Sequence, residues 1–334
     1  MPDINHTKVA KAVEDIVNGT ENILAKRAML VNVHIKGWGA TKTDKKATQS
    51  VQDAFGTSGK KGKFIKDLMP KGSVDGPTII AAACRKEHER ITLPWGNTKA
   101  GYRLCPTEAF ERWVGMVNTY KAAYKEASNE VVDHYERSLE QSAVELNGLF
   151  NPADYPTVEE LRERYVFERE VQPVPVSDNF YAQVPAEIAA EICEQIIENN
   201  DTFVTTAVND IVKRLEARVR NLAEALDGYE INKVVKHVKR NGRTVQAEKD
   251  VASRRLHDTM VTHLRDLVDL LPSLNIKGDA RIQGFIDEVE EKLTKFEVDD
   301  FKQNTPEAEK VRADVQNDAA DIADRLSGFF GPAN

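Results

Sequence analysis

Aromatic residues make up only 7% of this 334-residue chain, and cysteine occurs three times. Cys84, Cys105 and Cys193 follow no recurring spacing, and an odd count argues against a disulfide framework, so a reducing, cytoplasmic setting is expected. No apolar run approaches the roughly 20 residues that cross a bilayer. The opening MPDINHTKVAKAVEDIV lacks the apolar core of a secretory signal. The patterns Gly-x-Ser-x-Gly, His-Glu-x-x-His and Gly-x-Gly-x-x-Gly do not occur, which removes the usual sequence basis for a hydrolase, a zinc protease or a dinucleotide enzyme.

What the chain has in quantity is charge: 30% of residues, with a net of -8. The distribution is uneven. Residues 1–105 hold 18 Lys/Arg against 10 Asp/Glu, and the remainder holds 28 against 44. A basic first third on an acidic body either faces a polyanion or docks on the protein's own acidic helices.

Two stretches of similar length, Thr107 to Gly148 and Pro185 to Gly228, carry apolar residues at alternating steps of three and four, the spacing that lines one helix face. The first stripe includes Phe110, Trp113, Val117, Tyr120, Tyr124, Val131, Tyr135 and Leu139. The second includes Ile188, Ile192, Ile196, Phe203, Ile211, Leu215, Val219 and Leu226. At 1.5 Å per residue each helix would extend roughly 60 Å. Thr107 is placed to cap the first and Gly148 to end it. Two such stripes joined by a Pro-rich connection can bury each other as an antiparallel, coiled-coil-like hairpin. Its tip, 149–184, would present Phe167, Phe180 and Tyr181. Within that tip Thr157 and Glu160 form a capping-box pattern, and Val166 to Val176, with Pro173 and Pro175, is extended but cannot be a central strand.

Elsewhere the pattern predicts a helix over 3–28, a half-buried strand over Met29 to Trp38, a Lys-rich helix from Lys42 to Phe55, a basic loop from Gly56 to Lys63, and a short helix over 64–69. A helix starting at Asp75-Gly76-Pro77 and a short strand at Gly101 to Cys105 follow. After the second long helix, Asn241-Gly242-Arg243 is a turn. Helices are expected over 245–271, ended by Pro272, over 279–296, and from Thr305-Pro306 to Leu326. The terminal Phe329-Phe330 is expected to dock on the core.

Few residues group as a chemical site. Gly56 to Gly62 encloses one residue too many for a phosphate-binding loop, and Phe64 stands where Ser or Thr should meet magnesium. The same region is a better nucleic-acid surface: Lys36, Lys42, Lys45, Lys46, Lys60, Lys61, Lys63, Lys66 and Lys71 supply phosphate contacts, with Trp38 as a stacking ring. Its plain alternative is a solvated loop. Glu187, Glu191, Glu194 and Glu198, like Glu126, Glu130, Asp133 and Glu140, share helix faces. The Glu-x-x-His pattern of a carboxylate-bridged metal site is missing, and a solvated face is the expected reading. Cys84 and His88 lie at i and i+4, but Ala81, Ala82 and Ala83 beside them indicate a buried thiol rather than a nucleophile. No metal or cofactor is expected.

Met29-Leu-Val-Asn-Val-His-Ile-Lys-Gly-Trp38 with Asp44-Lys-Lys-Ala-Thr48, and later Leu93-Pro-Trp-Gly96 with Gly101-Tyr-Arg-Leu-Cys-Pro106, resemble the recurring blocks of an uncharacterised family of bacteriophages and proteobacteria. Its members often sit near genes for MoxR-type AAA+ ATPases. The resemblance covers roughly the first third of the chain. It implies a phage or mobile-element origin, the host cytoplasm as setting and an AAA+ ATPase as partner; it transfers no catalytic residue.

The expected fold is mainly α: a small basic α/β head (1–105), a long antiparallel helical hairpin (106–228) and a C-terminal helical bundle (229–334). The expected function is a non-enzymatic, phage-encoded assembly or adaptor protein that self-associates through Tyr120, Tyr124, Val131, Tyr135, Leu139, Ile211 and Leu215. The alternative is a DNA- or RNA-binding protein using 36–71. No membrane partner is expected.

Overall fold

Branched apolar residues at Val31, Val33 and Ile35 favour a strand over a helix, because they pack well on a pleated surface. In the computed structural model, which describes residues 24–57, 61–96, 101–177, 185–240 and 243–329, they lie in β1 (Ala28–Lys36). The other strands are β2 (Thr41–Thr43), β3 (Ile65–Asp67), β4 (Leu93–Pro94), β5 (Arg103–Pro106), β6 (Val166–Pro173), β7 (Ile231–Arg240) and β8 (Arg243–Ala252). The helices are α1 (Lys45–Ala54), α2 (Asp75–Ile91), α3 (Thr107–Asp133), α4 (Tyr135–Leu146), α5 (Val158–Arg164), α6 (Ala186–Leu226), α7 (Thr259–Leu274), α8 (Ala280–Leu293), α9 (Val298–Phe301) and α10 (Pro306–Gly328). The protein is mostly helical with small sheets. Among the described residues no helix is long and apolar enough to cross a membrane. Most of the expected 3–28 helix, and Lys60, Phe180, Tyr181, Asn241, Gly242 and Phe330, lie outside the described residues.

The main sheet has the order β4-β5-β1-β6, every pair antiparallel. Met29 faces Cys105 on one side of β1, and Val33 faces Arg169 on the other. β6 lies at the edge, where its one proline, Pro173, closes it. The described part of the 149–184 segment, 149–177, is therefore not the apex of a hairpin. It supplies the last strand of the sheet and the Thr157/Glu160 capping box of α5, both halves of which are formed. Phe167 is buried beside Tyr124, with ring centroids 5.6 Å apart, rather than exposed at a tip.

Both long stripes are buried over most of their lengths, but not against each other. α3 lies along α2: Ala81, Cys84, His88 and Ile91 of α2 and Ala109, Trp113, Val117 and Tyr124 of α3 are all buried. α6 runs antiparallel to α10. Arg220 reaches Asp324, and Tyr229, just past the end of α6, lies under Arg312. α10 offers Ala308, Ala319 and Ala323 among its buried residues, and small side chains let two helix axes approach closely. Periodicity specifies that a face is buried and says nothing about its partner, so the expected hairpin gives way to two separate helix pairs. One apolar core then runs without a break from β1 through α2, α3 and α6 to α7, α8 and α10.

Other expectations change locally. The first long helix breaks at His134, whose backbone (φ -95, ψ 2) ends α3 and starts α4. Thr107 does not cap α3: Pro106 occupies that position, and the Thr107 hydroxyl donates to the Arg27 carbonyl. Within the 64–69 segment, Ile65–Asp67 form a strand, β3, paired antiparallel with β2, and not a helix. Residues 245–252 are likewise not helical. β7 and β8 form a separate two-stranded ribbon of ten paired positions, and the helix starts only at Thr259. Pro272 lies inside the last turn of α7, which continues to Leu274. Asp279 and Thr305 cap α8 and α10, with Pro306 at the first position, and Phe329 docks edge-on to Phe285.

Candidate functional site

Three places gather polar or reactive groups. The largest is a cleft of about 670 Å³ between the end of α2, β5, α6 and α7, lined in part by Arg90, Arg103, Arg214, Arg218, Asp210 and Asp266. A helix leaves its last carbonyls without partners and carries partial negative charge there. Arg214 donates to the carbonyls of Glu89, Arg90 and Thr92, and Arg103 to those of Glu89 and Thr92 and to the Thr92 hydroxyl. Burial, then the neighbouring Arg214, holds the Arg103 guanidinium below its usual value. Arg90 is forked onto Glu87. Two of the four guanidiniums, Arg103 and Arg214, are thus occupied in joining α2 to the sheet and to α6, and Arg90 is held within α2.

The second place is the Cys84–His88 pair, on one face of α2 as its spacing predicts. Both are buried. Trp113 Nε1 donates to His88 Nδ1 at 2.9 Å, which requires an unprotonated acceptor nitrogen. His88 Nε2 is buried without a hydrogen-bond partner among the described residues. Burial, assisted by the Arg103 charge, lowers the imidazole to about 4, and burial raises the Cys84 thiol to about 11. At neutral pH the thiol keeps its proton and the imidazole is uncharged. The arrangement packs α2 against α3; it holds no thiolate nucleophile.

The third place is the lysine-rich segment. Lys66 is buried, donating to Asp44 Oδ2 at 3.0 Å, Asp154 Oδ2 at 2.8 Å and the Leu149 carbonyl at 2.6 Å. Lys42 pairs with Asp154 at 2.7 Å. Burial alone would lower the Lys66 ammonium, but its bonds to Asp154 and Asp44 outweigh that and hold it above its usual value. The Ala47 amide, then Lys66, keeps the Asp44 carboxyl low, and Lys42, then Lys66, does the same for Asp154. This cluster ties the β2–β3 ribbon to the turn before α5. Lys66→Met keeps the aliphatic stem and leaves two carboxylates facing each other. A thermal midpoint several degrees lower is expected by calorimetry, and an unchanged midpoint would show that the cluster is not structural.

Lys66 is therefore withdrawn from the expected nucleic-acid surface. So is Trp38, which is 8% exposed, edge-on to Tyr135 at 5.9 Å and covered by Arg164 at 6.0 Å. A ring so enclosed has no free face for a base. Lys36, Lys45, Lys46, Lys61, Lys63 and Lys71 are exposed. Gln52 of α1 donates to the Gly62 carbonyl, and the Phe64 amide to the Thr48 hydroxyl, so the loop carrying Lys61 and Lys63 lies on the helix carrying Lys45 and Lys46.

Of the expected self-association residues, Tyr124, Val131, Tyr135, Ile211 and Leu215 are buried inside the chain, and Tyr120 and Leu139 are half-buried. The Tyr124 hydroxyl donates to the Lys36 carbonyl and the Tyr135 hydroxyl to that of Pro156. These residues form the fold's own interior. The stripe of α6 does continue into open surface at its start: Ile188 is 46% exposed, and Ile192 and Ile196 are half-buried. Residues 186–200 were legible as an amphipathic helix, but only the fold separates their uncovered end from the buried remainder. No protein-family model, curated protein or solved structure matches the chain.

Proposed function

We propose that the chain is a non-enzymatic helical assembly or adaptor protein of phage origin, acting through protein–protein contacts and self-association. The observation that carries this reading is the gradient along α6. From Val204 onward its stripe is closed by α10, α7 and β4, yet the same three-and-four spacing continues through Ile196, Ile192 and Ile188 as covering declines. An isoleucine stripe at the open end of a 41-residue helix supports pairing with the same stripe of a second copy. The contact moves from the residues first expected to carry it to 188–197. The resemblance of the first third adds an AAA+ ATPase as the protein partner of such an assembly.

Ile188→Asp with Ile192→Asp is expected to convert an oligomer to a monomer by light scattering, with helical content by circular dichroism unchanged. Wild-type protein that stays monomeric at high concentration overturns the reading. Ile211→Asp, in the interior, unfolds the chain instead and serves as the contrast.

A second reading, nucleic-acid binding by the lysine-rich segment, is supported by the shared placement of Lys45, Lys46, Lys61 and Lys63. It survives in reduced form, without Trp38 and Lys66.

A further inference from the structure

A fourth gathering of charge is a cleft of about 330 Å³ where α3 meets α5 and the start of β6. α3 supplies Lys121, Lys125, Ser128, Asn129 and Val132. At about 100° per residue these five share an arc of about 100° around the helix, whereas Glu126 and Glu130 point more than about 100° away from its middle. α5 adds Arg162 from its last turn, and β6 adds Phe167. The ionised groups lining the cleft are therefore all cations, on a chain whose net charge is -8. Lys121, Lys125 and Arg162 are exposed, and among the described residues none of their side chains has a hydrogen bond or ion pair. Lys66, Arg103 and Arg214, by contrast, already have their partners.

Beneath the cations the floor is apolar and held in place. Tyr124, Val132 and Phe167 are buried, and Tyr165 is half-buried. The Tyr124 hydroxyl donates to the Lys36 carbonyl, and its ring lies edge-on to Tyr165 at 6.3 Å. Ser128 Oγ donates to the Tyr124 carbonyl at 2.7 Å. One turn before Lys121, the Arg169 guanidinium donates to Asn118 Oδ1 at 3.2 Å and ties β6 to α3.

This lining selects a ligand chemistry. A single carboxylate would leave two of the three cations unmatched. A phosphate monoester carries a charge of about −1.5 to −2 at neutral pH and offers three acceptor oxygens. A guanidinium fork can take two of them and an ammonium the third. Bare phosphate would leave the floor wet, whereas a planar ring covers it and meets the aromatic side chains edge-on or offset. Ligand cavities run from roughly 300 to 1,000 Å³, so this one has room for a single phosphorylated ring system and is too small for a dinucleotide.

We infer that the cleft binds a nucleoside monophosphate, its phosphate among Lys121, Lys125 and Arg162 and its base on the floor of Val132, Tyr165 and Phe167. Neither the α6 stripe nor Lys45, Lys46, Lys61 and Lys63 enters this site, so it is independent of self-association and of the lysine-rich segment.

Isothermal titration of the full chain with adenosine, guanosine, cytidine and uridine monophosphates tests the site. At least one is expected to bind with a Kd on the order of 10 to 100 µM, and about 10-fold or more tighter than inorganic phosphate or its own unphosphorylated nucleoside. Lys125→Gln with Arg162→Gln is expected to weaken that binding about 10-fold or more, by removing two charge-assisted contacts. Lys125→Arg with Arg162→Lys keeps the charges and retains most of the affinity, which separates lost charge from lost fold. Lys45→Glu with Lys46→Glu leaves binding unchanged. The proposal is overturned if no monophosphate binds at about 1 mM, if inorganic phosphate binds as tightly, if the glutamine variant binds like wild type, or if single-stranded DNA displaces the monophosphate at a lower nucleotide concentration.

Discussion

Replacing Trp113 with alanine is expected to destabilise the fold by about 3–5 kcal/mol, measured by denaturant unfolding. The indole is fully buried at the meeting of α2 and α3 and stacks on Phe110 at 5.8 Å. Its loss leaves a cavity and removes the hydrogen bond that His88 Nδ1 accepts. Trp113→Phe separates the two contributions. It retains most of the buried ring but leaves His88 Nδ1 without a donor, so a cost of about 1–3 kcal/mol is expected from the unsatisfied nitrogen and the smaller ring together. Equal costs for the two variants would mean that the hydrogen bond, not packing, secures α2 on α3.

Lowering the pH from 6.5 to about 4 is expected to remove about 3 kcal/mol of stability through His88 alone. The sign follows from proton binding. In the unfolded chain the imidazole takes up a proton below its ordinary value of 6.5, whereas burial and the nearby Arg103 delay that uptake in the folded chain to about 4. Between those limits the unfolded state holds more protons, so stability rises with pH and is lost on acidification. His88→Gln keeps an acceptor for the Trp113 N–H and cannot titrate. Its unfolding free energy is expected to be flatter across this window, and an equally steep fall would assign the acid sensitivity to carboxylates elsewhere.

Local features of the fold were legible wherever one residue type answers a local need. Val31, Val33 and Ile35 announced β1; Thr157 with Glu160, and Thr305 with Pro306, announced helix starts; Pro173 announced an edge strand. What was not legible is what each face meets. The stripes of α3 and α6 were read correctly as buried for most of their lengths, but their true partners, α2 and α10, are specified by shape and by small residues such as Ala319 and Ala323 rather than by period. The β7–β8 ribbon was missed because no strict alternation of apolar and polar residues marks it; its described residues 232–235 and 248–252 are exposed. Asn241-Gly242 between two runs containing valine was the available signal. Lys66 and Trp38 read as surface groups because the residues that enclose them, Asp44 and Asp154 for one and Tyr135 and Arg164 for the other, are mostly distant in sequence. The exposed lysines of the 36–71 segment were legible individually; which of them remain available was decided by tertiary contacts.

The central place of β1 in the sheet also sets an order of events during synthesis. Both of its neighbours come later in the chain, β5 at Arg103–Pro106 and β6 at Val166–Pro173. At about 5–20 residues per second, the edge that β6 will cover stays open for roughly ten seconds after β1 leaves the ribosome. During that interval it is a bare strand edge in which Val31, Val33 and Ile35 alternate with Asn32 and His34, the kind of surface that recruits other chains. Translation speed between residues 36 and 173, and any chaperone that shields the nascent strand, therefore bear on how much of this protein reaches its native state.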